Sequence, residues 1–276
     1  SAASDVYKRQ ILSLLLFIIL LLSFYYYAQY WKRKAAYALL QYGRNAQNHE
    51  ERKWAAQQAL MAGHKDAAKL YALTCPEAFD KELPLVPFYR DNIKCVFADY
   101  YYSKRFHNFI DEDQWQFANT VYLFKEGKDE CSQYFAQTFK ALRPACDITI
   151  MFMPCSTQKH YYNRFSSLAY FFLKFRGVQS GIDYISFTGE RESKHTSQQR
   201  NKIEESSNYI INTNLTGKKI IIVDDLLTTG KSLSSYAKKL KDSGAEIAGA
   251  IFLAKTFLLP TNAKVKWIVW KHFFLS

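Results

Sequence analysis

Hydrophobic and polar positions change their spacing three times along the chain. From Ile11 to Trp31 no residue is charged, and the apolar positions go all round a helix rather than along one stripe. At 1.5 Å per residue such a helix is about 31 Å long, enough to cross a hydrocarbon core of about 30 Å. Its centre reads ILSLLLFIILLLSF. Tyr25, Tyr26, Tyr27, Tyr30 and Trp31 come next, where an interfacial aromatic belt would lie, and Lys32-Arg33-Lys34 stands directly after them. The spacing predicts a membrane-spanning helix over 11–31, with a buried core helix as the alternative. The denser basic flank places the bulk of the chain in the cytoplasm, as a single-pass membrane protein. Residues 1–10 match no other part of the chain and are set aside as a leader that need not be native.

From Ala35 to about Phe79, small and apolar residues recur at helical spacing, punctuated by Gly63 and Pro76. Helical hairpins are expected, either a small spacer or, by its A-x-x-A-G-x-x-x-A-A-x-L pattern, a stretch that resembles Sel1-like or tetratricopeptide repeats. Pro84 and Pro87 mark a connector. Residues 88–143 are aromatic-rich and read as mostly helical, so 35–143 is taken as one helical region. Asp111, Glu112 and Asp113 look like a helix N-terminus.

After Pro144 the period shortens. ITIMFMP, IDYISF, NYIIN, KKIIIV and EIAGAIFLA read as strands, with helices over Asn163–Arg176 and Lys231–Ser243. Strands alternating with helices argue an α/β domain over 144–276, built on a mostly parallel sheet flanked by helices. Ligands bind such sheets at the carboxyl ends of strands.

Charge narrows the partners. The 276 residues hold 37 Lys+Arg and 25 Asp+Glu, a net +12. An anionic partner is favoured: nucleic acid, a phosphorylated small molecule or an anionic membrane surface. The five cysteines include no C-x-x-C pair, and no H-E-x-x-H occurs, so neither a zinc site nor a disulfide framework is signalled.

The most informative stretch is KKIIIVDDLLTTGKSL, residues 218–233. Ile220 to Val223 form a buried strand with Asp224 and Asp225 at its carboxyl end. Leu226 to Gly230 make a turn, and a helix starts near Lys231. Thr228, Thr229, Gly230 and Ser232 around that helix start offer N–H groups, hydroxyls and a positive dipole end, an anion pocket suited to phosphate. The carboxylates would repel phosphate, so they suit vicinal ribose hydroxyls instead. A P-loop needs a glycine five residues before Gly230, where Asp225 stands.

These residues resemble the PRPP-binding signature of type I phosphoribosyltransferases: four apolar residues, two acids, two apolar residues, then T-T-G-x-S. The likeness covers the chain from Asp147 onward. P-C-S-T-x-x-x-x-x-N-R-F after the first strand and N-x-x-x-T-G-K-K-I-I-I-V-D-D bring it nearest the competence-protein-F (ComF) and amidophosphoribosyltransferase-like group. The resemblance implies that Asp224 and Asp225 hold the ribose hydroxyls while Thr228, Thr229, Gly230, Lys231 and Ser232 enclose the 5-phosphate, Leu226 and Leu227 lying between. It implies a pyrophosphate loop at Cys155, Ser156 and Thr157, with Lys159 or Arg164 adding charge; a plain turn is the alternative. TGERESKHTSQQR, residues 188–200, is similar to the catalytic loop of orotate-type members, with Arg191, Lys194 and His195 as catalytic candidates; an ordinary solvated loop is the alternative.

The implied activity is transfer of a phosphoribosyl group from PRPP to a nitrogen nucleophile, a nucleobase or amine, with release of pyrophosphate. Mg²⁺ would be carried by PRPP, with no direct protein ligand. Thr228 stands where purine-salvage members place an acid, which argues against a hypoxanthine-guanine type. A membrane contact through 11–31 and a homodimer fit this reading, and nucleic acid is not required. The competing reading is a non-catalytic PRPP- or nucleotide-binding module linked to DNA uptake or regulation.

Overall fold

The computed structural model describes residues 2–128, 131–189 and 208–275. The chain divides into two compact units, one of 1–79, 108–111 and 259–276, the other of 80–107 and 112–258.

The first unit is helical. Helix α1 (Ala2–Asn45) is continuous and is followed by α2 (His49–Met61) and α3 (Ala67–Thr74). Its segment from Gln10 has a mean hydropathy of 2.3 over its most apolar stretch, none of which is buried, so this helix is long and apolar enough to cross a membrane. The C-terminal part of α1 behaves differently: Ala36 and Leu40 are buried. Leu40 packs with Ala56, Ala59, Leu60, Leu70 and Tyr71, joined by Val265 and Val269 from a terminal helix over Asn262–Leu275. Asn48 caps α2, its side chain accepting from the Glu50 N–H at 2.8 Å. Buried Arg52 serves the last turn of α1: it donates to the Arg44 carbonyl at 3.1 Å and to the Gly43 carbonyl at 3.4 Å, which a helix end leaves without partners.

The second unit is built on a sheet. Its strands are β1 (Phe88–Arg90), β2 (Ile93–Tyr101), β3 (Ile148–Phe152), β4 (Val178–Ser180), β7 (Lys219–Leu227) and β8 (Glu246–Thr256). The spatial order is β1-β2-β8-β7-β3-β4. Only β1 and β2 pair antiparallel; the other neighbours are parallel. Helices α4 (Glu112–Lys125), α5 (Ser132–Leu142), α6 (Gln158–Phe172) and α7 (Lys231–Asp242) flank it. Ile220 to Val223 of β7 are fully buried, as expected of a parallel strand covered on both faces. Aromatic side chains fill the core: Phe124, from the aromatic-rich stretch 88–143, and Phe152 of β3 both meet Phe165, at 5.9 and 4.9 Å between ring centroids.

Two expectations are corrected here. Residues 88–90 and 93–101 are strands, and β2 pairs with β8 over Cys95–Tyr101, inside the main sheet. The run IKCVFADYY is buried at six of its nine positions, so the two-residue alternation that announces a strand is lost. Helix does hold over α4 and α5. Strands β5 (Ile185–Phe187) and β6 (Tyr209–Ile211), for their part, stay outside the main sheet and pair with each other, antiparallel.

Candidate functional site

Strand β7 runs four residues beyond its hydrophobic core, through Asp224 and Asp225 to Leu227. Successive side chains of a strand point to opposite sides, so the two acids enter unlike surroundings. Asp225 is buried at 7% exposure. Its Oδ2 accepts from Arg164 Nη1 of α6 at 3.2 Å and lies 3.7 Å from Lys125 Nζ at the end of α4. Arg164 Nη2 also donates to the Lys125 carbonyl at 3.0 Å, tying the two cations together. Gly127, with φ +72°, makes this approach feasible: a Cβ there would come within 2.7 Å of the Asn163 carbonyl oxygen. Asp224 is half-buried, and its Oδ1 accepts from the Asp225 N–H at 2.8 Å. Burial first, and the neighbouring Asp225 charge second, hold the Asp224 carboxyl well above its ordinary pKa.

Beyond the acids the chain turns at Gly230, whose φ is +82°, and α7 begins at Lys231. That left-handed backbone suits glycine, and the space is also confined: a Cβ would meet Arg90 Cγ at 3.0 Å. Arg90 is held by a two-pronged pair to Glu82 at 2.6 and 2.8 Å. Asp91, beside it, accepts from the Ser234 hydroxyl in the first turn of α7. Thr228, Thr229, Lys231 and Ser232 are exposed around the helix start. Leu226 is half-buried and Leu227 buried, both paired along β8, so they serve packing.

The third piece is the loop after β3. Thr157 caps α6, its hydroxyl oxygen accepting from the His160 N–H at 3.2 Å. Cys155 and Ser156 are held by buried Asn208, whose Nδ2 donates to their carbonyls at 3.2 and 2.8 Å and lies 3.5 Å from the Gly189 carbonyl. Desolvation pushes the Cys155 thiol up to about 12, with Arg164 opposing and Asp224 and Asp225 adding. The Met153 N–H donates to the Val223 carbonyl at 2.9 Å, which sets the loop after β3 beside the end of β7 that carries the two acids. Arg164, expected as a charge for this loop, instead turns its guanidinium to Asp225; Lys159 remains exposed. Arg191, Lys194 and His195 lie outside the described residues.

Loop 155–157 and the acids of β7 thus come together, with Gly230 and the start of α7 directly following those acids. Arg90, Lys125 and Asn208 were not anticipated. Asn208 and Arg164 stand inside motifs already noted, but Arg90 and Lys125 lie more than 90 residues from the acids and carried no local signal. Among the described residues no group of three or more His, Cys, Asp or Glu could hold a metal ion.

Comparison with known proteins finds matches over this part of the chain. The family model described as phosphoribosyl transferase domain matches residues 174–266, which contain β7, the turn and α7. Orotate phosphoribosyltransferases of Pyrobaculum islandicum and Pyrobaculum aerophilum are 32% and 34% identical to the chain over 73 residues. That stretch is 26% of the chain and 38% of each relative. The chain thus spans well under half the length of the curated relatives it matches. Together these matches support a type I phosphoribosyltransferase domain in this part of the chain.

Proposed function

We propose that the chain transfers the 5-phosphoribosyl group of PRPP to a nitrogen nucleophile. The observation that carries this is the end of β7: two acids, then a left-handed glycine turn into α7, inside the segment that matches the family. In this reading Asp224 accepts from the ribose hydroxyls and Asp225 fixes the strand end through Arg164 and Lys125. The N–H groups and hydroxyls from Thr228 to Ser232 receive the 5-phosphate, where a helix N-terminus favours an anion. Cys155, Ser156 and Thr157 face the pyrophosphate, with Arg191, Lys194 and His195 as the cations that stabilise it as it leaves.

In the reaction, the bond from C1 of ribose to the pyrophosphate oxygen breaks and a bond from C1 to nitrogen forms. Pyrophosphate departs with the bonding pair, and the nitrogen's extra proton passes to water. Asp225 is already engaged by two cations, so Asp224 and Asp225 are not a free carboxylate pair for chelation. Mg²⁺ therefore fits as the counter-ion that PRPP brings, offsetting charge on the leaving group. The likeness to the ComF group rests on Pro154–Thr157, on Asn163–Phe165, which includes the arginine that reaches Asp225, and on the stretch 212–225 that ends in the two acids. The relatives make orotate one acceptor to test among nucleobases and amines. Helix α1 is read as a single span with the remainder cytoplasmic, on the strength of Lys32-Arg33-Lys34; a homodimer is compatible with this arrangement.

The test is titration of the chain with PRPP and Mg²⁺, then a pyrophosphate-release screen over acceptors. Asp224→Asn with Asp225→Asn should weaken PRPP binding at least tenfold, since each charge-assisted hydrogen bond is worth roughly 1.5–3 kcal/mol. Unchanged affinity in a folded double variant would sink the assignment.

A further inference from the structure

The helical unit carries an exposed surface that the proposed transferase chemistry leaves unused. The terminal helix α8 (Asn262–Leu275) buries Val265 and Val269 and turns Trp267 and Trp270 outward, at 63% and 48% exposure. Their rings stack at 5.8 Å and 21°. With Leu60, Met61, Gly63 and Lys266 they line an open groove of about 470 Å³. Two adjacent exposed tryptophans are unusual on a water-facing surface and mark a contact site.

Position and charge identify what covers it. The groove's other wall is the α2–α3 turn, and His64 of that turn lies 6.3 Å from Tyr37 of α1, ring to ring. Tyr37 is six residues past Trp31, about 9 Å along the helix. If 11–31 fills the hydrocarbon layer, a headgroup layer of about 5–7 Å lies between that layer and the groove's level. Lys264, Lys266 and Lys271 are exposed on α8 beside the tryptophans. From Ile247 to Ser276 the sequence contains no Asp or Glu. Asp66, in the α2–α3 turn, is paired with Lys69 at 3.5 Å. Exposed tryptophan rings just beyond the headgroup layer, with lysines around them, form a chemistry suited to docking on an anionic lipid surface.

We propose that the Trp267–Trp270 face of α8 docks onto the anionic headgroups of the bilayer that α1 crosses. The inference rests on the reading of α1 as a span and extends it to a second, electrostatic contact. Each lysine near such a surface shifts the docked-to-undocked ratio about fivefold. The contact should therefore weaken as salt shortens the screening length from roughly 10 Å at 0.1 M to 3 Å at 1 M.

The test uses the full chain with Trp31, Trp54 and Trp115 replaced by Phe, so that only Trp267 and Trp270 emit. It is reconstituted into vesicles of phosphatidylcholine with or without phosphatidylglycerol, doped with a brominated quencher lipid. Retention in the vesicles through alkaline carbonate reads the span; quenching reads the surface. The expected result is retention in both lipids, with quenching that rises with phosphatidylglycerol and falls with salt. Lys264→Glu, Lys266→Glu and Lys271→Glu together should remove the phosphatidylglycerol-dependent part without changing retention. Retention with no quenching, or with equal quenching in both lipids, overturns the docking surface and leaves the span standing. Protection of the tryptophans that follows protein concentration rather than lipid composition would make the occupant a second copy and overturn it too. Loss of the chain from the vesicles removes the span and this proposal with it.

Discussion

Asp224 and Asp225 are neighbours in sequence with opposite energetics. Two cations face Asp225, so deleting one leaves a largely buried carboxylate short of its partner. Arg164→Met should destabilise the sheet unit by about 3 kcal/mol, the order seen when one side of a buried pair is removed. Urea unfolding reads this directly, and a shift below 1 kcal/mol would demote the pair to a surface contact. Asp224 is the reverse case: folding raises its pKa, so the folded state takes up a proton at a pH where the unfolded chain stays ionised. Its contribution to stability is present below the ordinary carboxylate range and is lost as pH rises through the folded value. Asp224→Asn should thus leave the fold intact at neutral pH while removing that acid-side gain. The check is unfolding free energy against pH for both proteins; parallel curves would refute the unlike roles of the two acids. PRPP binding, if it needs the carboxylate, should weaken in wild type as the same group protonates. The acids themselves were legible in the sequence because motif and strand end coincide within a few residues. Their partners were not: contacts across some 60 to 100 residues are set by how α4 and α6 pack, which no local period encodes.

At the scale of elements, the turn into α7 and the strand β2 make separate demands. Gly230→Ala would add a Cβ at a left-handed position 3.0 Å from Arg90 Cγ. Left-handed backbone alone costs a non-glycine residue about 1–2 kcal/mol. PRPP affinity should drop while the circular dichroism spectrum stays that of wild type; unaltered affinity would mean the turn does not shape the phosphate cradle. Strand β2 bears on where the sheet unit begins. A chain starting at residue 144 would lack β1, β2, α4 and α5, exposing the edge of β8, whose Ala250–Leu253 are fully or almost fully buried. Such an edge invites aggregation. Residues 80–258 are therefore expected to fold as a soluble unit and residues 144–276 to aggregate; a soluble, cooperatively unfolding 144–276 fragment would contradict the structural place given to β2. The mostly parallel sheet was readable from Asp147 onward because there each apolar run is short and bounded by turn residues. It was unreadable at 88–101 because a strand buried on both faces has no alternation, and its aromatics pass equally well as helix.

For the whole molecule, the question is whether the proposed transferase chemistry is tethered. Burial of an apolar side chain is worth roughly 1.5–3 kcal/mol, so a helix that leaves Ile11, Leu14, Leu15, Phe17, Ile18 and Leu21 exposed to water would forgo on the order of 10 kcal/mol. Soluble surfaces do not carry such a stripe on every side, whereas a bilayer accepts it without partners. Lys8 and Arg9 precede the span and Lys32-Arg33-Lys34 succeed it, so the orientation rests on a difference of one charge between the two flanks. Alkaline carbonate should leave the full chain in the membrane pellet, and a chain starting at residue 35 should go to the supernatant. In membranes sealed with the cytoplasmic side outward, added protease should reach Lys32-Arg33-Lys34 and the transferase domain. Replacing Lys32 and Arg33 by Gln, which moves the basic excess to the Lys8–Arg9 side, should send a fraction of the chains into the opposite orientation, protected from protease. Full protection of the wild-type domain would reverse the proposed orientation. A full-length chain washed out by carbonate would remove the tether while leaving the site at the end of β7 as it stands.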